Sequence, residues 1–290
     1  MNLKGNQSQP STQQMQILNL AHPDEGNLKY ILTKFPDGEP HIKITSEINH
    51  KDEVEVYTRI CDSDDLFVLL QVGDILKRHE VVWNLHIAYL MSMRMDRVID
   101  FNRPFSLKIV ASLINSLSFT RISLLEPHSN VSEKFFYDRL LPYYGKNCTW
   151  NKQLEFSYEH RCIVFPDDGA VKRYDPADFL KNYIIFKKTR DLETGKLTGF
   201  QIVETKLSED IKEFVFVDDL CDGGGTFVGE LEVLKKQYPN KKCSLCVRHM
   251  VNPIGVQRIL DNFDALYITN SYADWDHIIQ NPKIKITQVI

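Results

Sequence analysis

No apolar run in the sequence approaches the roughly 20 residues that a membrane-spanning helix needs. The longest, such as LFVLLQV at 66–72, fall far short, and the opening stretch MNLKGNQSQPSTQQMQ carries no hydrophobic signal core. The expectation is a cytoplasmic protein with no membrane contact. An excess of charge of either sign is also missing. A formal net charge of -4 with 26% charged residues gives no electrostatic ground for binding nucleic acid. Cysteine is sparse: six residues lie scattered, and the pair Cys243 and Cys246 forms the one C-x-x-C. A zinc site needs a second pair of ligands, and none is spaced to supply it. In KKCSLCVRHM the two thiols sit in a strand-like apolar run, where side chains three apart point to opposite faces, so both are expected buried and reduced.

What is present is a chain of 290 residues, 43% of them hydrophobic, long enough for two compact units that each bury a core. Short β-rich runs alternate with segments of helical period, the pattern of mainly parallel sheets flanked by helices in an α/β protein. The strand candidates are 66–72, 85–91, 121–126, 161–165, 183–186, 213–217, 243–247 and 265–269. Leu107, Val110, Ala111, Ile114 and Leu117 form one helical stripe, and Phe227, Leu231 and Leu234 another. The glutamine- and serine-rich residues 1–14 predict a loose lead. No glycine- or serine-rich linker marks a boundary. The break in alternation at YYGKNCTWNK places it near residue 148, giving an N-terminal unit over 1–148 and a C-terminal unit over 149–290.

One stretch carries chemistry. VFVDDLCDGGGTF at 215–227 sets a buried-strand signal before Asp218, Asp219, Asp222, Gly223, Gly224, Gly225 and Thr226, and an amphipathic helix follows. In a parallel sheet, ligands gather at the carboxyl ends of strands. Amides of glycines there approach an anion with no Cβ intervening, and the helix N-terminus adds a favourable dipole. The arrangement is a phosphate cradle, with Asp218 and Asp219 as acceptors suited to the vicinal hydroxyls of a ribose.

The stretch resembles the fingerprint of type I phosphoribosyltransferases and of the ribose-phosphate diphosphokinases (PRPP synthetases). Other motifs point to the second group. FPDGE at 35–39 looks like the diphosphokinases' F-x-D-G-E, and MSMRMDR at 91–97 is similar to the stretch ending in A-R-Q-D-R, with Met95 where glutamine is usual. EPHS at 126–129 resembles D-L-H-A, VFPDDGAVKR at 164–173 resembles S-P-D-x-G-x-x-x-R, and KTR at 188–190 resembles the K-x-R of the flexible catalytic loop.

The resemblance implies two tandem type I phosphoribosyltransferase-like domains and an ATP-dependent pyrophosphokinase that uses Mg²⁺. It implies that Phe35, Asp37 and Glu39 contact ATP from a neighbouring subunit, so that active sites are shared within a homo-oligomer, a dimer or a hexamer. Arg94 and Asp96 would hold ATP, His128 and Asp167 would help place Mg²⁺, and Lys188 and Arg190 would be catalytic. Asp218 and Asp219 would take the ribose hydroxyls, and Asp222 to Thr226 the 5-phosphate. The phosphate loop departs from the family's D-T-A-G-T by its run of glycines, which leaves fewer donors and more room. The acceptor is therefore ribose 5-phosphate or ADP-ribose, the latter as in phage relatives that rebuild NAD; a phage-encoded chain would work in its host's cytoplasm. A phosphoribosyltransferase that consumes PRPP, and a catalytically silent scaffold of the same family, are the alternatives.

Overall fold

A computed structural model of the chain describes residues 15–141, 160–174, 181–190 and 197–290, without the side chains of Tyr137, Arg190 and Leu197. The expected lead at 1–14 and the expected boundary at 148 lie outside the described residues.

Four parallel strands build the first sheet: β1 (Gln16–Asn19), β4 (Val54–Ile60), β5 (Trp83–Leu90) and β6 (Arg121–Leu124), side by side in that order. VEVYTRI of β4 alternates buried and half-buried positions, as a strand with one face on the core requires. Between β1 and β4 a separate antiparallel hairpin of β2 (Tyr30–Lys34) and β3 (Pro40–Ile44) carries FPDGE at its tip, where Gly38 takes the left-handed φ of +93°. The stripe Leu107, Val110, Ala111 and Ile114 is buried on α2 (Ser106–Asn115), and a short helix, α3 (Asn130–Phe135), follows β6.

The expected strand at 66–72 is instead the middle of a helix, α1 (Ser63–Arg78). Asp62 caps it by accepting from the amides of Asp64 and Asp65 at 2.9 and 3.0 Å. Acidic residues fill its first turn and Lys77 and Arg78 its last, which complements the helix dipole. The buried Leu66, Leu69, Val72 and Leu76 recur at helical spacing.

Seven strands form the second sheet, in the order β13 (Ile284–Thr287), β12 (Ala265–Thr269), β11 (Lys242–Met250), β10 (Glu213–Cys221), β7 (Arg161–Phe165), β8 (Tyr183–Arg190) and β9 (Leu197–Lys206). All pairs are parallel except β8 with β9. The chain steps outward from β7 through β8 to β9, then returns to lay β10 on β7's other side and steps outward the opposite way. The β7/β10 junction is therefore the topological switch point, where the connections diverge and leave a crevice beyond the strand ends. Cys243 joins the apolar cluster on one face of this sheet and Cys246 the cluster on the other, both buried, as the strand reading of the pair predicts. Among the described residues no helix is long and apolar enough to cross a membrane.

Candidate active site at the β7/β10 switch point

β10 runs four residues past the expected strand end, so Asp218 and Asp219 belong to its last turns of pleat and Asp222 is the first residue beyond it. Gly224 then adopts φ +73°, a conformation that other residues take only under strain, and α5 (Gly225–Gln237) begins. No side chain caps this helix, so the amides of its first turn remain open to a ligand. Thr226, its second residue, is half-buried. The loop is braced from behind by α6 (Pro253–Asn262): a Cβ on Gly255 would lie 1.7 Å from the Asp222 carbonyl oxygen, so backbone packs on backbone there. Asp222 accepts from Asn252 Nδ2 at 3.0 Å and from Arg94 Nη2 at 3.1 Å, and these two partners hold its carboxyl below the usual range. Arg94 follows β5 of the first sheet, so this contact brings the two sheets' strand ends together.

Neighbouring residues of a strand point to opposite faces, yet Asp218 and Asp219 converge. The Asp219 amide donates to Asp218 Oδ1 at 2.9 Å, which folds the Asp218 side chain back along the strand. Arg173, on α4 (Asp168–Tyr174), then reaches both, at 3.0 and 2.7 Å, and also donates to the His128 carbonyl. His128 Nδ1 lies 2.7 Å from Asp219 Oδ2. Burial raises Asp218 well above its ordinary pKa, and the adjacent Asp219 charge adds to it. Burial acts on Asp219 in the same direction, but the hydrogen bond from His128 and the charge of Arg173 outweigh it and hold Asp219 well below its ordinary value. The two carboxyls are thus pushed apart, Asp218 towards its protonated form and Asp219 towards its charged one.

Asp167 leaves the carboxyl end of β7 on the other side of the crevice. Its Oδ1 accepts from the amides of Gly169 and Ala170 at 3.0 and 3.1 Å, and its Oδ2 from Lys188 Nζ at 2.8 Å. Burial works against the charge, but Lys188 and the two amides prevail and lower the pKa. With Nδ1 turned to Asp219, His128 keeps Nε2 as the ring nitrogen available to a second partner.

The structure thus gathers Arg94, His128, Asp167, Lys188, Asp218, Asp219 and the loop 222–226 around one crevice. Asp96 is buried in the segment after β5, and its carboxylate lies 3.3 Å from Arg97 Nε rather than beside that group. Phe35, Asp37 and Glu39 stand apart at the hairpin tip, with Phe35 half exposed and its ring 5.6 Å from that of His41. Arg190 closes β8, and its side chain lies outside the described residues. Sequence reasoning gave no role to Arg173, although it ends the VFPDDGAVKR motif, nor to Asn252 and Arg258, which carry no motif at all. Arg258 donates to the Gly223 carbonyl beside the cradle. It also passed over Glu230, a carboxylate on the buried stripe of α5.

Known proteins share this architecture. A solved phosphoribosylpyrophosphate synthetase from Mycobacterium smegmatis superposes with a TM-score of 0.75 over 94% of each chain at 18% identity. The fold is the type I phosphoribosyltransferase-like α/β fold in tandem. In sequence, the chain is 26% identical over 266 residues to the ribose-phosphate pyrophosphokinase of Helicobacter hepaticus, covering 90% of this chain and 84% of that one. It is 26% identical over 264 residues to that of Mycoplasma genitalium, covering 85% and 76%. No family model matches. Over most of its length the chain is thus similar in sequence to ribose-phosphate pyrophosphokinases.

Proposed function

We propose that the protein transfers the β,γ-pyrophosphate of ATP to the anomeric 1-hydroxyl of a 5-phosphorylated ribose in the cytoplasm. The 1-oxygen forms a bond to the β-phosphorus, the bond from that phosphorus to the α,β-bridging oxygen breaks, and AMP leaves. One observation carries the reading: groups from β5, β7, β8 and β10 meet at a single switch-point crevice beside an uncapped helix N-terminus. Those are an acidic pair for hydroxyls, amides for a phosphate, and a lysine held beside them on a carboxylate. Phosphoryl transfer depends on alignment and on neutralising the migrating charge, and Lys188 with Arg190 is suited to follow that charge. The amides of the first turn of α5 and Thr226 would hold the 5-phosphate, Asp218 and Asp219 the ribose hydroxyls, and Arg94 and Asp96 the nucleotide.

The donor set fits a magnesium ion delivered on ATP better than a resident one. Among the described residues no three His, Cys, Asp or Glu side chains are arranged as a cage, and Mg²⁺ readily keeps waters and phosphate oxygens with one or two protein ligands. His128 and Asp167 are the groups that would touch it, where it would neutralise phosphate charge. The exposed FPDGE hairpin would complete the ATP site of a second copy in a homo-oligomer.

Two acceptors suit the cradle. Ribose 5-phosphate is the simpler. ADP-ribose is favoured by the loop glycines: a Cβ on Gly223 or Gly225 would meet only Arg258 Nη1, at 3.5 and 3.7 Å, so neither is required by packing or by a left-handed φ. Their absence of side chains leaves room beside a guanidinium, where a second phosphate can lie. Incubation with Mg-ATP and each acceptor, following AMP release, tests the proposal. AMP with one acceptor identifies it, and AMP with neither overturns the reading. Pyrophosphate released from PRPP without ATP would point to the phosphoribosyltransferase alternative.

A further inference from the structure

α5 buries Phe227, Glu230, Leu231 and Leu234 on one stripe, so a carboxylic acid occupies a position where three of its neighbours are apolar. Glu230 is fully buried, and among the described residues neither of its oxygens has a hydrogen-bond partner. An unpaired buried polar group is destabilising, and an apolar residue of similar size there would avoid that cost. Packing therefore does not account for it.

Its surroundings give it a use. In the antiparallel β8/β9 arm Lys188 pairs directly with Phe200, and directly paired residues share a face of the sheet. The Phe200 ring covers Gly229 so closely that a Cβ there would lie 2.2 Å from it. Glu230 is the next residue along, so the arm lays the root of Lys188 over the part of α5 that contains it. The charged groups that act on Glu230 come from three other segments: Lys188 of β8, Asp167 after β7, and Asp218 of β10. Lys188 itself is engaged by Asp167, whose other oxygen is already filled by two amides. A lysine that follows a migrating pyrophosphoryl group has to leave that carboxylate, and when it does it needs an acceptor at its back.

We propose that Glu230 is a positioning residue for Lys188, a second acceptor for the ammonium that takes over from Asp167 once nucleotide is bound. The inference rests on the reading of Lys188 as the group that attends the transfer. It assigns Glu230 no contact with substrate.

A pair of replacements separates positioning from packing. Glu230→Leu completes the apolar stripe and is expected to raise the thermal midpoint while lowering kcat at least tenfold, with KM for ATP and for the acceptor within about twofold of the parent. Glu230→Gln, which keeps an acceptor oxygen, is expected to lose less. A crystal structure of the parent enzyme with Mg²⁺ and a non-hydrolysable ATP analogue is expected to place Lys188 Nζ within about 3 Å of Glu230. Parental turnover in Glu230→Leu beside an inactive Lys188→Ala overturns the inference and leaves the transfer reading intact. Lys188 still on Asp167 in the nucleotide complex overturns it too, whether or not the leucine variant folds. No AMP release from the parent with any acceptor, or full activity in Lys188→Ala, overthrows the transfer reading and the inference together.

Discussion

At the scale of single residues, burial decides the charge of Glu230. Glu230 is pushed by burial from 4.5 up to about 9, against the partial relief given by Lys188. Between those two values the folded chain keeps a proton that the unfolded chain has lost. Folding then takes up a proton, and stability falls as pH rises, by up to about 1.4 kcal/mol per pH unit for a fully uncompensated group. Glu230→Gln removes that proton uptake. Its urea midpoint is therefore expected to match or slightly exceed the parent's near pH 5, with a lead that widens steadily towards pH 9. Parallel curves for the two proteins would show that Glu230 titrates normally. The acidic pair behaves in the opposite sense at its charged member. Asp219 is held well below its ordinary value, so its contribution is complete above the ordinary carboxylate range and fades as the pH falls through the lowered one.

At the scale of elements, the loop 222–226 is shaped as much by the helix behind it as by its own glycines. Gly255→Ala adds a favourable helix former to α6, worth about 1 kcal/mol in an open helix. Here the new methyl would meet the Asp222 carbonyl oxygen at 1.7 Å, and backbone is not free to step aside as a side-chain tip is. The loop must move. The expected outcome is an acceptor KM raised tenfold or more with the ATP KM little changed, measured by steady-state AMP release; an unaltered acceptor KM would mean that the loop does not bind the acceptor. Nothing in NPIG marks this contact in the sequence, because a glycine required by close approach looks the same as any glycine near a helix start. The strand, glycine turn and helix around these residues were legible, since paired acids, a glycine run and a helical stripe follow a β-rich stretch at fixed offsets. The covering stripe on α2 and the opposed cysteines of β11 were legible for the same reason, a period that only one backbone form satisfies. LFVLLQV was not, because a short unbroken apolar run satisfies a buried strand and a buried helix equally. The deciding signal lay outside it, in the Asp62 cap and the Lys77–Arg78 end. Arg173 and Glu230 were hidden differently: the charged groups that act on them come from elements remote in sequence, and only the switch-point topology brings them together.

At the scale of the whole molecule, two sheets share one site, and buried polar contacts hold them in register. Glu126, which follows β6 and sits at φ +37°, an uncommon setting for glutamate, is reached by Arg248 Nε at 2.5 Å and by the Tyr174 hydroxyl. Its carbonyl lies 3.1 Å from His249 Nε2, and burial lowers His249 to about 4, so the imidazole is neutral there. A second tie joins Arg59 of β4 to Asp274, at 2.6 and 3.2 Å. Arg248→Met leaves Glu126 buried without its cation and is expected to destabilise the fold by about 3–5 kcal/mol, read as a fall in the urea midpoint. Replacing Glu126 by leucine in the same chain should recover part of that loss, and a single variant as stable as the parent would mean that the pair does not hold the sheets. What this chain does not bring to its own crevice is the hairpin tip, where Phe35 stands half exposed at the far end of β2 and β3. If that tip serves a neighbouring subunit, a defect in the tip and a defect in the crevice belong to different chains of the same site. Phe35→Ala and Lys188→Ala are each expected to be nearly inactive alone. Unfolded together and refolded as a mixture, they form hybrids in which one site combines an intact tip from the Lys188→Ala chain with an intact Lys188 from the other. AMP release should return to a substantial fraction of the parental rate, on the order of a quarter if assembly is random and sites are shared pairwise. A mixture no more active than the sum of its two components would assign the tip to its own chain's site, reached by a movement of the hairpin.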